Sequence, residues 1–259
     1  MSDQPMCQYL TGVSNDYTME AAENELWGKL GILIGPATGG GIGSKCDYKE
    51  HIPSYRNWAC DNGCFANGGD FDRCLWLQLL DETVNWIDGA HEACLFAVAP
   101  DVYDPVAGRG DWAATIERSL PVLPKIRGIG IPAALVFQDG IEDHQDQVPW
   151  DELDVAFSGG GDGFKTGYCS GVGTPTYTYD RADGRTQRWA SLINEIHAHD
   201  KGLHVGRVNG GVRHHLSRSI GADSVDGTSV ARGGEQALRK ITQWLTNDSS
   251  KERTNNGKA

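Results

Sequence analysis

The chain has 259 residues, 39% of them hydrophobic, and a mean hydropathy of −0.43, which suits one buried core of barrel size. Its 35 acidic and 23 basic side chains give a formal charge of −12, which argues against loose, charge-driven attraction to nucleic acid but leaves room for a local basic patch. No apolar run reaches the roughly 18 residues of a spanning helix, Met1-Ser2-Asp3-Gln4-Pro5 is no signal pattern, and seven cysteines cannot all pair, so the expectation is a cytoplasmic protein with reduced thiols and no membrane partner.

In chain order, residues 1–30 read as a helical extension, with an acidic helix from Asp16 to Leu30 packed on the bottom or side of the domain. Strands are expected at 31–34, 57–60, 94–98, 133–137, 154–157, 203–208 and 224–225, each a short apolar or β-branched run. Helical patterns around 70–87, 111–127, 181–200, 210–220 and 234–245 fall between them, with apolar positions three or four apart, as at Leu75, Leu79, Leu80 and Val84. Strands alternating with helices predict a parallel sheet, and the expected fold is a TIM-type (β/α)8 barrel over residues 31–245. Seven strands are evident and an eighth is not, so the completeness of the barrel is left open. The Gly-rich stretch from Gly159 to Asp180, with Tyr168, Tyr177 and Tyr179, is long enough for a lid or substrate loop, and residues 246–259 form a polar tail.

Three look-alike motifs are set aside. Gly39-Gly40-Gly41-Ile42-Gly43-Ser44-Lys45 follows a strand, but a phosphate loop needs Lys followed by Ser or Thr, and here Ser precedes Lys. Cys60 and Cys64, with Cys46 and Cys74 nearby, lack both a Cys-x-x-Cys pair and a matched histidine spacing, so no metal and no cofactor is expected. His214 and His215 are adjacent on a helix, cannot present both rings to one face, and read as surface residues.

The polar groups at the strand ends form a series. Asp61 follows the second strand, Asp101 the third, Gln138 the fourth, Gly159 and Gly160 the fifth, Gly206 and Arg207 the sixth, and Asp226 closes the seventh. In a parallel barrel these ends meet at one mouth, and a facing pair of carboxylates there can cleave a bond to an anomeric carbon, one attacking carbon and the other moving a proton.

From about Gly31 to Arg232 these motifs resemble the tRNA-guanine transglycosylase superfamily, and more closely its phage-type relatives that insert 7-deazaguanines into DNA. Asp61-Asn62-Gly63-Cys64-Phe65 is similar to the family's Asp-Ser-Gly-Gly-Phe segment. Gly221-Ala222-Asp223-Ser224-Val225-Asp226, with Arg232 beyond it, is similar to its Gly-x-Asp-x-Phe-Asp segment followed by Pro-Thr-Arg. The resemblance implies Asp226 as nucleophile, Asp61 as acid/base, and Phe65 and Val205 on the two faces of the base. It also implies Asp101 and Gln138 on the purine edge, the Gly159-Gly160 backbone at the base carbonyl, and Gly206 along the same pocket.

The family's tRNA enzymes continue into a Cys-rich zinc segment, whereas this sequence has no Cys after Cys169. The expectation is therefore a DNA-guanine transglycosylase exchanging guanine for a base such as preQ0, in the host cytoplasm if phage-encoded. Arg207, Arg213 and Arg232 are the candidate nucleic-acid contacts, and DNA and the free 7-deazaguanine base are the expected partners. A tRNA substrate, an N-glycosidase hydrolysing the same bond, and a base-binding barrel without chemistry stay open as alternatives. So do a homodimer and partner modification enzymes.

Overall fold

A computed structural model describes residues 8–11, 29–36, 57–104, 106, 108–161, 185–228 and 235–245. Its strands are β1 (Gln8–Thr11), β2 (Leu30–Ile34), β3 (Trp58–Cys60), β4 (Cys94–Val98), β5 (Tyr103–Asp104), β6 (Arg109–Gly110), β7 (Ala133–Phe137), β8 (Val155–Ser158), β9 (Gly202–Val205) and β10 (Ser224–Gly227). Eight of them, β1-β2-β3-β4-β7-β8-β9-β10, pair in parallel and close into a barrel, because β1 bonds β2 on one side and β10 on the other. This is the TIM-type architecture, and among the described residues α-helices lie between β3 and β4, β4 and β7, β8 and β9, and β9 and β10.

The eighth strand lies where the sequence suggested a helical extension. Gln8 pairs with Ser224 and Tyr9 with Leu30, so the barrel begins at residue 8, and the boundary at residue 30 does not hold for these four residues. Tyr9 packs in the core shared with the helices and Leu10 in the barrel interior, the two-residue alternation of a strand. Four residues are too few for that alternation to be distinctive beside an acidic segment. Of the helix expected over Asp16 to Leu30, residues 16–28 lie outside the described residues, as do 37–45 of the glycine run, the stretch 162–180 and the tail at 246–259, while Leu30 begins β2 instead.

The same alternation sorts the strands into two apolar layers. Ile32, Ile34, Trp58, Cys60, Leu135, Phe137, Leu203 and Val205 face the helices. Leu10, Ala59, Phe96, Val98, Ala134 and Val136 fill the barrel, with Leu33, Val155 and Phe157 against them. Burial of these two layers supplies the main driving force for the fold.

Helices run over Arg73–Trp86, Ala90–Ala93, Trp112–Ser119, Leu123–Gly128, Arg185–Ala198, Gly211–Ser219 and 235–245. Asp72 and Asp111 cap two of them by accepting from the backbone N–H of Leu75 and Ala114, each at 3.0 Å. The helix expected over 111–127 is broken in two at Pro121, whose ring removes an N–H and crowds the preceding turn. His214, expected at the surface, is buried and packs near Trp244 with ring centroids 6.4 Å apart. None of the described helices is long and apolar enough to cross a membrane.

Candidate active site

The strand ends on one face of the barrel enclose a pocket of about 570 Å³, lined by Asp61, Phe65, Asp101, Gln138, Gly159, Gly160, Gly206, Arg207 and Asp226. Nine of the residues singled out in sequence thus share one mouth. Val205 and Arg213 do not line it, and Arg232 lies outside the described residues. Val205 belongs to the layer facing the helices and is 1% exposed, so it cannot cover the face of a bound base. Strand parity explains this, since Gly206 and Val205 are neighbours and point to opposite sides. Inside the barrel, Phe157 and Val136 supply apolar surface to the pocket instead.

Asp226 lies at the end of β10, and both of its oxygens are held. Its Oδ1 accepts from the backbone N–H of Arg207 at 3.1 Å, and its Oδ2 lies 3.0 Å from His204 Nε2. His204 is fully buried on the inner face of β9, between Phe96 and Phe157 at ring-centroid distances of 4.9 and 4.5 Å. Its Nδ1 is 2.8 Å from Ser224 Oγ. With Asp226 ionised, its carboxylate only accepts hydrogen bonds, and this contact then takes its proton from His204 Nε2. Gly206 makes room here, because a Cβ at that position would stand 3.2 Å from Asp226 Oδ2 and 3.1 Å from the Phe157 ring.

Arg207 reaches its contact by adopting a left-handed backbone (φ 60), which costs a non-glycine residue about 1–2 kcal/mol. That turn ends β9 at Val205, three residues earlier than the sequence suggested. Arg213 Nη1 donates to the Arg207 carbonyl at 3.4 Å, so Arg213 braces this loop.

Asp61, just beyond β3, has a different environment. Burial, then the negative charges of Asp226 and Asp101, raise its carboxyl from 3.8 to about 7, and the backbone N–H groups of Asn62 and Gly63 offset this only in part. Trp76 Nε1 donates to the Asp61 carbonyl at 3.2 Å and the Asp61 N–H donates to Ile34 at 2.7 Å, which fix the backbone that carries the group.

Asp101 is the centre of a polar network. Its Oδ1 accepts from Asn62 Nδ2 and its Oδ2 from Gln138 Nε2, both at 3.0 Å. Burial raises its carboxyl above the usual range, against the Asn62 bond and the charge of Arg118. Gln138 Nε2 also donates to the Val102 carbonyl at 3.1 Å, and its Oε1 accepts from Thr115 Oγ1 at 3.0 Å. Gly110 of β6 lies flat on that amide, where a Cβ would collide with it. Gln138 therefore holds Asp101 in place, and its own donors are engaged.

The glycine backbone expected to meet a base carbonyl is also occupied. Gly159 and Gly160 both donate their N–H groups to the Phe137 carbonyl, at 2.9 and 3.2 Å, and Gly161 donates to Asp139 Oδ2 at 2.7 Å. These amides continue the β7–β8 pairing past the strand end, so they hold the rim and offer no free donor to a ligand.

Phe65 is 49% exposed at the mouth and makes an edge contact with Tyr103 at 4.8 Å, while the Arg207 guanidinium lies over its ring at 3.6 Å. Arg109, on the β5–β6 hairpin, lines the same mouth and was missed in sequence, as were His204 and Phe157. The turn signal Asp104-Pro105-Val106-Ala107-Gly108 marks that hairpin. Among the described residues no group of three His, Cys, Asp or Glu side chains could hold a metal ion.

No family model and no curated protein matches the chain. Solved structures do share its form. A BexX/CysO complex from Amycolatopsis orientalis is similar at 11% identity over 99% of this chain and 98% of that one, with a TM-score of 0.54. A ligand-free form of tryptophan synthase from M. tuberculosis is similar at 10% identity over 93% of this chain and 92% of that one, with a TM-score of 0.51. Neither is a transglycosylase, and at this identity the likeness speaks for the barrel fold alone.

Proposed function

We propose that the chain is a pentosyltransferase that exchanges guanine in DNA for a 7-deazaguanine base through an aspartyl-glycosyl intermediate. The observation that carries this reading is the pair of carboxylates in one pocket, Asp226 held by two donors and Asp61 raised to about 7. Two carboxyl groups in such different environments support a reading of one as nucleophile and the other as acid.

In the first half-reaction an Asp226 oxygen attacks the anomeric carbon, the bond from that carbon to the guanine nitrogen breaks, and the Asp61 carboxylic acid gives its proton to the departing base. In the second, the incoming deazaguanine loses a ring proton to the Asp61 carboxylate, its nitrogen attacks the same carbon, and Asp226 leaves as a carboxylate. Two displacements at one carbon retain configuration. Asp101, as an acceptor at the pocket wall, suits the donor edge of guanine. Phe65 and Phe157 supply the aromatic surface, and a duplex target would have to flip its nucleotide into the mouth.

DNA is preferred over tRNA on the resemblance to the DNA-modifying relatives. The test is incorporation of a labelled deazaguanine into guanine-containing DNA and into tRNA by the purified chain. Label in DNA supports the proposal and label in tRNA alone transfers it to the RNA substrate. Release of guanine with no incorporation would mark a hydrolase, and neither release nor incorporation would refute base exchange.

A further inference from the structure

The inner face of β9 carries one polar side chain inside the barrel, His204, and the sequence motifs give it no task. It is fully buried, stacked between Phe96 and Phe157, and bonded at both ring nitrogens, to Asp226 Oδ2 at 3.0 Å and Ser224 Oγ at 2.8 Å. A buried polar ring in an apolar layer loses its hydration, so its retention calls for partners on both sides, and these it has.

We propose that His204 is the positioning residue of Asp226: its hydrogen bond stabilises the carboxylate as a leaving group when the glycosyl-enzyme breaks down. This inference rests on the base-exchange reading above.

The chemistry gives His204 a directional effect. The Nε2–H bond is stronger to a carboxylate anion than to the carbonyl oxygen of an ester. It therefore favours free Asp226 over the glycosyl ester. Without it, Asp226 attacks as readily or more so and departs more slowly. Ser224 acts one step further out, its Oγ–H donating to Nδ1 so that the neutral ring carries its proton on Nε2 and keeps its orientation.

His204→Phe fills the same space between Phe96 and Phe157 without a donor, and His204→Gln restores a donor nitrogen near the Nε2 position. With labelled guanine in DNA and no incoming base, the Phe variant should release guanine in a burst close to that of the unaltered protein. With deazaguanine added, exchange should be slower by about 10- to 100-fold, the loss expected for one hydrogen bond to a charged group, and the adduct should accumulate. His204→Gln should recover most of the exchange, and Ser224→Ala should shift it in the direction of the Phe variant by less. Thermal unfolding of each variant confirms that it is folded.

Equal losses of release and exchange in a folded His204→Phe protein, or no recovery in a folded His204→Gln protein, would overturn the proposal. If the unaltered protein releases no guanine from DNA or tRNA, the proposed function is what fails. The imidazole nitrogen resonances then decide the role of His204: a proton on Nε2 that responds to Asp226→Asn is expected, and a proton on Nδ1 alone contradicts it.

Discussion

Asp226 and Asp61 are the same residue type at the ends of two strands of one barrel, and their surroundings differ in kind. On the β9–β10 side the carboxylate meets donors, the His204 imidazole and the Arg207 amide. On the β3–β4 side the carboxyl meets burial and two further acids, which raise it to about 7. On the proposed reading, the donor-rich wall suits the nucleophile, and the acid-rich, desolvated wall, which favours a neutral carboxyl at Asp61, suits the proton donor.

The largest effect should come from breaking the donor side. Asp226→Asn removes the attacking oxygen, and base exchange should fall by at least about 10⁴-fold while the fold persists. Normal exchange in that variant, measured by label incorporation, would reassign the nucleophile.

Breaking the acid side should have the next largest effect. Asp61→Asn should slow guanine release by about 10²- to 10⁴-fold, as for loss of a general acid or base. The unaltered protein should lose release rate as pH rises through about 7, where Asp61 ionises, and the variant should lack that limb. Stability follows the same sign. The folded carboxyl binds its proton more tightly than the unfolded one, so its contribution is present below about pH 4 and is lost as pH rises through about 7. At pH 8 the Asn variant should therefore melt higher than the unaltered protein, by roughly 2–4 °C for each kcal/mol of burial penalty relieved. A variant that melts lower at pH 8 would show that Asp61 is a structural acid.

Asp101→Ala sharpens the comparison from the neighbouring strand. It should weaken free deazaguanine more than DNA, because Asp101 faces the pocket and not a phosphate. It should also lower stability by about 1–3 kcal/mol, since Asn62 and Gln138 each lose an acceptor. Equal losses for both ligands would restrict Asp101 to the network. The smallest effect is expected at Arg207→Gly, which keeps the backbone N–H to Asp226, suits the left-handed turn and removes the guanidinium over Phe65. Nucleic-acid affinity should fall and its salt slope flatten by about one unit, with the fold equal or firmer in a thermal melt. An unchanged slope would confine Arg207 to the protein surface.

The mouth of the barrel was legible in sequence because Asp61, Asp101, Gln138 and Asp226 each follow a short apolar run, and strand ends of a parallel barrel converge. What lies one residue to either side was less so. Val205 was placed on the base although Gly206 beside it faces the pocket, and His204, in phase with Gly206, was passed over inside an apolar run. Parity along β9 carries both facts. The resemblance puts the Gly159 and Gly160 backbone on the base carbonyl, but only the pairing of β7 with β8 shows where their N–H groups go. β1 was hidden because four residues give no period, and its partners, Leu30 and Ser224, stand far away in the chain.

The central claim is a covalent bond between Asp226 and the sugar. The direct measurement is peptide mass spectrometry of the protein quenched after incubation with guanine-containing DNA and no incoming base, with Asp226→Asn alongside. The account predicts a glycosyl adduct on the peptide holding Asp226, absent from the variant. An adduct on the Asp61 peptide, or stoichiometric guanine release with no adduct at all, would contradict it.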